Sequence, residues 1–265
     1  MRKLYSCIGR LAACLLLAAS SGQLVAEENT NLIQSLSFSS YYSAGDYSDV
    51  MDTEIFYFPL SYGLNFGKLG LQFTIPHLEV TGPGNVLVNV GGINRAVAGT
   101  QRQTATGVGD SILSLTYQLD SFAASAPFID LRLDIKLPSA DEKKGLGTGE
   151  VDYSGQIDFS QYLGNSVLFA TFGYTFRGNS SIYQGLSDSA FAQLGFATPV
   201  SSNWNFGIFY DFRQSASSFT PEVHELVPYF SWEIAPNWTF TGMTSWGFTE
   251  ASADLTALGQ ISYRW

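Results

Sequence analysis

The stretch Phe128–Leu137, FIDLRLDIKL, constrains this chain more than any other. Ile129, Leu131, Leu133, Ile135 and Leu137 fall on one parity, and Phe128, Asp130, Arg132, Asp134 and Lys136 fall on the other. Successive side chains of a β-strand point to opposite faces, so the segment folds as a strand with one greasy and one charged face. A helix would scatter both sets around its circumference. About ten residues is also the length with which a tilted strand crosses the hydrocarbon core of a bilayer.

The same alternation recurs as far as the last residue and marks twelve segments, at about 32–42, 54–64, 69–80, 108–119, 128–137, 151–163, 167–177, 189–200, 204–214, 223–234, 238–249 and 254–265. On each, one parity is rich in large apolar residues, as with Phe56, Phe58, Leu60, Tyr62 and Leu64, or Trp204, Phe206, Ile208, Tyr210 and Phe212. Pro59 predicts that the second segment is less regular than its pattern. The connections sort by parity. Odd ones are mostly long (43–53, 82–105, 139–150, 178–188, 215–222, with a short last one at 250–253), and even ones mostly short (65–68, 120–127, 164–166, 201–203, 235–237). An even strand number with long loops outside and short turns in the periplasm is the pattern of an outer-membrane barrel. Aromatic residues at segment ends, among them Tyr117, Trp204, Phe212, Trp232, Trp238, Phe248 and Tyr263, fit the membrane interfaces. The expectation is an all-β chain, an antiparallel transmembrane β-barrel of about twelve strands in a bacterial outer membrane, greasy outside and polar inside. A secreted β-sandwich also alternates, but it has no reason to sort its connections by parity.

Composition narrows the rest. Residues 1–26 read as a signal peptide, with a basic start at Arg2, Lys3 and Arg10, a short apolar run and a cleavage site at Leu24-Val25-Ala26, leaving 27–265 as one barrel domain. Both cysteines, Cys7 and Cys14, lie in that signal, which leaves the exported chain no disulfide. Removing the three signal cations takes the formal net charge from −10 to −13, which argues against nucleic acid as a partner.

The inward parity carries Asp110, Asp130, Arg132, Asp134, Lys136, Asp152, Asp158 and Arg213, with Arg177, Asp211, Glu225, Glu233 and Arg264 beside them. These are the candidate lumen-lining residues. In an open passage they would set which solutes enter; in a filled one they would form ion pairs that brace a narrow barrel. Twelve strands leave less room than a general porin, which favours a narrow or gated path.

The remaining candidates are weak. Neither His77 nor His224 sits in a His-x-Ser element such as rim lipid hydrolases carry, so no catalytic residue is assigned. Gly145-Leu146-Gly147-Thr148-Gly149 lacks the helix a phosphate loop needs and reads as a surface loop. Asp46, Asp49, Asp52 and Glu54 match no defined cation loop. No metal and no cofactor is expected.

Three elements together resemble an outer-membrane transporter-like family known by the MetA pathway of phenol degradation: Gly107-Val108-Gly109-Asp110, the alternation ending Lys136-Leu137-Pro138, and the glycine loop Gly145, Gly147 and Gly149 leading into Val151-Asp152-Tyr153. The resemblance implies a barrel that helps aromatic or other apolar compounds across the outer membrane. Separately, Ile261, Tyr263 and Trp265 resemble the C-terminal signal read by the barrel-assembly machinery. The leading expectation is thus a narrow channel or uptake protein for small solutes, with lipid, lipopolysaccharide, the assembly machinery and a small-molecule solute as partners. The rivals are a closed structural or adhesive barrel that binds through its outer loops, and a rim hydrolase.

Overall fold

Every wall strand of the structure, a computed structural model, is antiparallel to its neighbours. It describes residues 32–45, 53–82, 87–90, 93–96, 103–123, 126–180, 185–217 and 221–265. The segment 1–26 and most of the acidic 43–53 loop lie outside them. The strands are β1 Leu32–Gly45, β2 Thr53–Phe66, β3 Leu69–Gly82, β4 Leu87–Val90, β5 Ile93–Ala96, β6 Gln103–Val108, β7 Ser111–Gln118, β8 Phe128–Leu137, β9 Asp152–Leu163, β10 Ser166–Phe176, β11 Ser189–Pro199, β12 Trp204–Arg213, β13 Val223–Ala235, β14 Trp238–Gly247 and β15 Leu255–Arg264.

Consecutive strands pair around a ring, and β1 closes it against β15, with Leu36 opposite Tyr263 and Tyr42 opposite Ala257. Strands β6 and β7 share one place in the wall. The first pairs with the outer part of β3 and the second with its inner part, so the wall has twelve positions. Closure leaves no strand edge to be satisfied, which is what a lipid environment demands of a sheet.

The face assignment follows the alternation. Leu131, Leu133 and Leu137 of β8 are exposed outward, as are Leu36, Phe38, Leu60, Tyr62, Phe172, Phe176, Leu194 and Phe206 on other strands. A contiguous apolar belt of this extent is a lipid-facing surface. At the short-turn end aromatic rings form a girdle. Trp204 stacks on Trp232 at 5.1 Å, Trp238 lies 4.7 Å from Tyr263, and Tyr263 stacks on Trp265 at 5.5 Å. Trp265 also closes the barrel seam, exchanging backbone hydrogen bonds with Gln34 at 2.9 and 3.0 Å.

Three expectations change. The strand expected at 108–119 is broken at Gly109 and Asp110, so that Val108 ends a separate strand, β6, which begins at Gln103. The stretch 82–105 is not wholly irregular. Its ends belong to β3 and β6, with Gly82 opposite Gln103, and between them β4 and β5 form a hairpin of their own. Pro59 does not make β2 irregular; the strand runs unbroken, and Pro59 faces Pro76 across it. The missing N–H shows instead as a gap in the ladder to β1, which pairs at Phe38–Leu60 and resumes at Tyr41–Tyr57. Pro76 opens a similar gap where β3 passes from β7 to β6.

Candidate functional site

The inward face of β7, β8 and β9 is the charged wall of the lumen. Alternation in β8 delivers Asp130, Arg132, Asp134 and Lys136 to it at every second residue. The Arg132 guanidinium donates from Nε to Asp134 Oδ1 at 2.9 Å and from a terminal nitrogen to Ser114 Oγ at 2.9 Å. Asp158 accepts from Thr171 Oγ1 at 2.6 Å and from Gln156 Nε2 at 2.9 Å, and lies in register with Asp130. Arg132, Asp134 and Asp158 are thus held in side-chain networks on the lumen wall.

The three fragments quoted for the family resemblance converge on one point at the outer mouth. Lys136, almost wholly buried, donates to Asp110 Oδ2 at 2.9 Å and to Thr148 Oγ1 at 2.7 Å, and pairs with Asp152 at 3.1 Å. Asp110 sits at the break between β6 and β7, and its other oxygen accepts the Ala140 N–H at 3.1 Å. Pro138 directly follows β8, and the next residue, Ser139, donates to the Gly109 carbonyl at 3.0 Å. A short 3-10 helix, Glu142–Lys144, capped by Asp141 and by Gly145 in the left-handed conformation, turns the loop inward.

Glycine is needed where the parts touch. A Cβ on Gly147 would lie 2.6 Å from Asp110 Oδ1 and 2.7 Å from Ala140 Cβ, and one on Gly107 would lie 2.8 Å from Leu146 Cδ1. Gly149, at φ +75°, has the Glu142 carboxylate where a Cβ would be. Gly147→Ala is therefore expected to lift the loop off Asp110 and to lower the temperature at which the refolded barrel loses its heat-modifiable band on electrophoresis.

Leu146 is the apolar half of the same attachment. It packs with the inward-facing Tyr41, Ile55, Tyr57, Leu78, Val80 and Leu258. A second cluster fills the inner side of the opposite wall, with Val167, Phe169, Ala197, Phe209, Val227 and Tyr229, and Met243 packs against both. The interior is therefore not uniformly polar, as the alternation alone predicted. It is two-sided, with an apolar track running beside the charged wall. The signal was present in the sequence, since Ile55 and Tyr57 occupy the polar parity of β2 and Val167 and Phe169 that of β10. Within the second cluster the Tyr229 hydroxyl is buried and has no hydrogen-bond partner among the described residues. A buried hydroxyl left in that state costs about 1–3 kcal/mol.

At the outer ends of β12 and β13, Arg213 pairs with Asp211 at 2.7 Å and with Glu225 at 2.8 Å, and Gln193 donates to Asp211 at 2.7 Å. Both histidines face outward. His77 meets Thr106 Oγ1 at 3.2 Å, and His224 lies between the Tyr210 hydroxyl and Glu222, the latter at 3.1 Å. Among the described residues no group of three His, Cys, Asp or Glu is placed to hold a metal ion.

The family model described as "Putative MetA-pathway of phenol degradation" matches residues 27–265. The chain belongs to this family. No curated protein matches it in sequence. Among solved structures, the chain is similar to the COG4313 outer membrane channel from Pseudomonas putida F1, at 11% identity and a TM-score of 0.63, over 91% of this chain and 100% of that one. It is similar to the KdgM porin at 8% identity and a TM-score of 0.52, over 86% and 98% of the two chains. It also resembles the translocator domain of the autotransporter NalP from Neisseria meningitidis, at 9% identity and a TM-score of 0.51, over 91% and 90%. At these identities the likeness establishes the fold, that of an outer-membrane barrel, and this member of the phenol-degradation family carries all three quoted fragments at its outer mouth.

Proposed function

We infer that this barrel is a narrow outer-membrane channel for small solutes, apolar and aromatic ones among them. The observation that carries the reading is the apolar track inside the lumen, continuous from Leu146 and Tyr57 through Met243 to Phe209 and Val167. An apolar solute sheds its hydration cost along such a strip. The family description and the channel and porin names of the structural relatives point the same way. No catalytic step enters this reading.

The charged residues divide between two roles. Asp130, Arg132, Asp134 and Asp158 face the passage and bias its ion selectivity, whereas Asp110, Lys136, Asp152 and Arg213 brace the outer mouth. Arg132→Ala, which removes the cation from that wall, is expected to shift the reversal potential toward cation selectivity. An unchanged potential would remove Arg132 from the conduction path. Residues 1–26 act as the export signal, and Ile261, Tyr263 and Trp265 engage the assembly machinery; lipopolysaccharide contacts the long-loop rim.

Single-channel recording of the refolded barrel in a planar bilayer, with phenol added, tests the reading. Discrete current steps that phenol dims are expected. A silent barrel that still shows heat modifiability would overturn it in favour of a closed barrel that binds through its outer loops. The complete burial of Tyr57, Leu78, Val167 and Val227 is the observation in favour of that second reading.

A further inference from the structure

The outward face of the barrel changes character at the outer ends of β3 and β6. Along β3 the outward residues run Phe73, Ile75, His77, Glu79 and Thr81, and on β6 Val108, Thr106 and Thr104 stand opposite the last three. Ile75 and Val108 are exposed members of the apolar belt. Beyond them every outward residue of the two strands is polar. Thr106 Oγ1 lies 3.2 Å from the His77 imidazole, and the Thr81 and Thr104 hydroxyls meet at 2.8 Å. His77, Thr104 and Thr106 are exposed, and Glu79 and Thr81 are half-buried.

Two further observations set the height of this face. β7 closes the ring at this position, and β6, beyond it, pairs with β3 alone among the described strands. Backbone groups along an unpaired edge do not sit in hydrocarbon, so β6 stands above it. The face also continues the lipid belt without a break, since Ile75 and His77 are consecutive outward residues of one strand. A lipid whose tails lie against Ile75 therefore has its headgroup against His77 and above. The six residues from Ile75 to Thr81 rise about 15 Å on a tilted strand, more than the roughly 5–7 Å of a phospholipid headgroup layer. The chemistry narrows the headgroup. The threonine hydroxyls donate and accept, and the Glu79 and Glu54 carboxylates accept. Among the described outward residues of β2, β3 and β6 there is no lysine or arginine to meet a phosphate. Phe56 stands opposite Glu79 and packs on Tyr42 at 4.8 Å, which gives the polar face an aromatic flank.

We propose that this face, Thr104 and Thr106 with His77, Glu79 and Thr81, binds the core sugars of lipopolysaccharide in the outer leaflet. The hydroxyls, the imidazole and the carboxylate bond sugar hydroxyls, and the Tyr42 and Phe56 rings lie beside the apolar face of a sugar ring. The proposal rests on the reading that lipopolysaccharide contacts the long-loop rim. It narrows that contact to two strands, and to sugar instead of phosphate. It does not depend on whether the barrel conducts.

The test is titration of the refolded barrel in detergent with two fluorescently labelled ligands, rough lipopolysaccharide that carries its core sugars and lipid A that lacks them. The wild type is compared with the double variant Thr104→Val, Thr106→Val. Valine keeps the shape and strand preference of threonine on an exposed face, so the variant keeps its heat-modifiable band, and lipid A binding reports any loss of fold. The wild type should bind the sugar-bearing ligand more tightly than lipid A. The variant should bind it about tenfold less tightly than the wild type does, the worth of two exposed hydrogen bonds, with lipid A unchanged. Equal affinity of both proteins for rough lipopolysaccharide, with the wild type still preferring it to lipid A, overturns the proposal and moves the sugars to another part of the rim. A wild type that binds the two ligands alike, or a variant that weakens both alike, overturns it by assigning the contact to the lipid A portion. Binding of neither ligand to the wild type removes the rim contact altogether, and the proposal with it.

Discussion

Lys136→Met is expected to cost about 3–5 kcal/mol of barrel stability and to raise the single-channel conductance. The substitution keeps most of the side-chain volume and removes the charge. It leaves Asp110, which has no exposed side chain, and Asp152, at 13% exposure, without the cation that both face. A buried carboxylate stripped of its partner is among the costliest changes a folded chain meets, because neither water nor a counter-ion replaces the lost interaction. The barrel has a lower-cost way out. Thr148 loses its donor at the same moment, so the loop between β8 and β9 can swing away and carry Leu146 out of the inward-facing cluster. Water then reaches Asp110, and the mouth widens. The two readouts together identify the latch. Urea unfolding should shift to lower concentration, and protease should cut within residues 138–151, where the wild type resists. If stability falls while conductance and protease resistance stay as they were, the cluster is a brace and does not hold the loop.

The wall of this barrel was legible in the sequence because strand alternation is a local signal. All twelve wall positions coincide with segments marked by parity, most bounds agree within a few residues, and the belt residues such as Leu131, Phe172 and Phe206 face outward as the pattern requires. What the alternation could not convey is anything set across the barrel. Asp110, Lys136 and Gly147 are distant in sequence, and nothing in their spacing says that they meet. They appeared as three separate fragments of a resemblance and are one attachment point in the fold. The break between β6 and β7 has the same origin. Gly109 donates its N–H to the Pro76 carbonyl at 2.9 Å, and Pro76 itself can donate nothing, so the interruption is decided by a proline on the neighbouring strand.

The two-sided lumen was missed for a different reason. Parity assigns a strand one face as a whole, and the polar residues near one end outvote the apolar ones near the other. In β2, Ser61 represents the inner face fairly at the short-turn end, whereas Ile55 and Tyr57 belong to the outer mouth. Scoring the inward residues by depth, with facing strands read in opposite directions, would have placed Tyr57 beside Leu78 and Tyr41 and exposed the track.

Arg213→Leu should give the second large effect, again about 3–5 kcal/mol, but with the mouth left closed. Arg213 is the cation between Asp211 and Glu225, at 2.7 and 2.8 Å, and both carboxylates are nearly inaccessible to water. Leucine fits the space but leaves two adjacent carboxylates facing each other across the β12–β13 pair, where Asp211 stands opposite Glu225. Here no loop can move to admit water, because both acids stand on paired wall strands. The strain must be met by opening the outer ends of β12 and β13, away from the latch on β8. Conductance should therefore stay close to the wild-type value while urea unfolding shifts. A second substitution, Glu225→Gln, tests the cause. If charge repulsion drives the loss, Arg213→Leu with Glu225→Gln regains most of the stability, and the coupling between the two sites in a double-mutant cycle is large. If the double variant is as unstable as the sum of its parts, the guanidinium stabilises the barrel through packing and not through its charge.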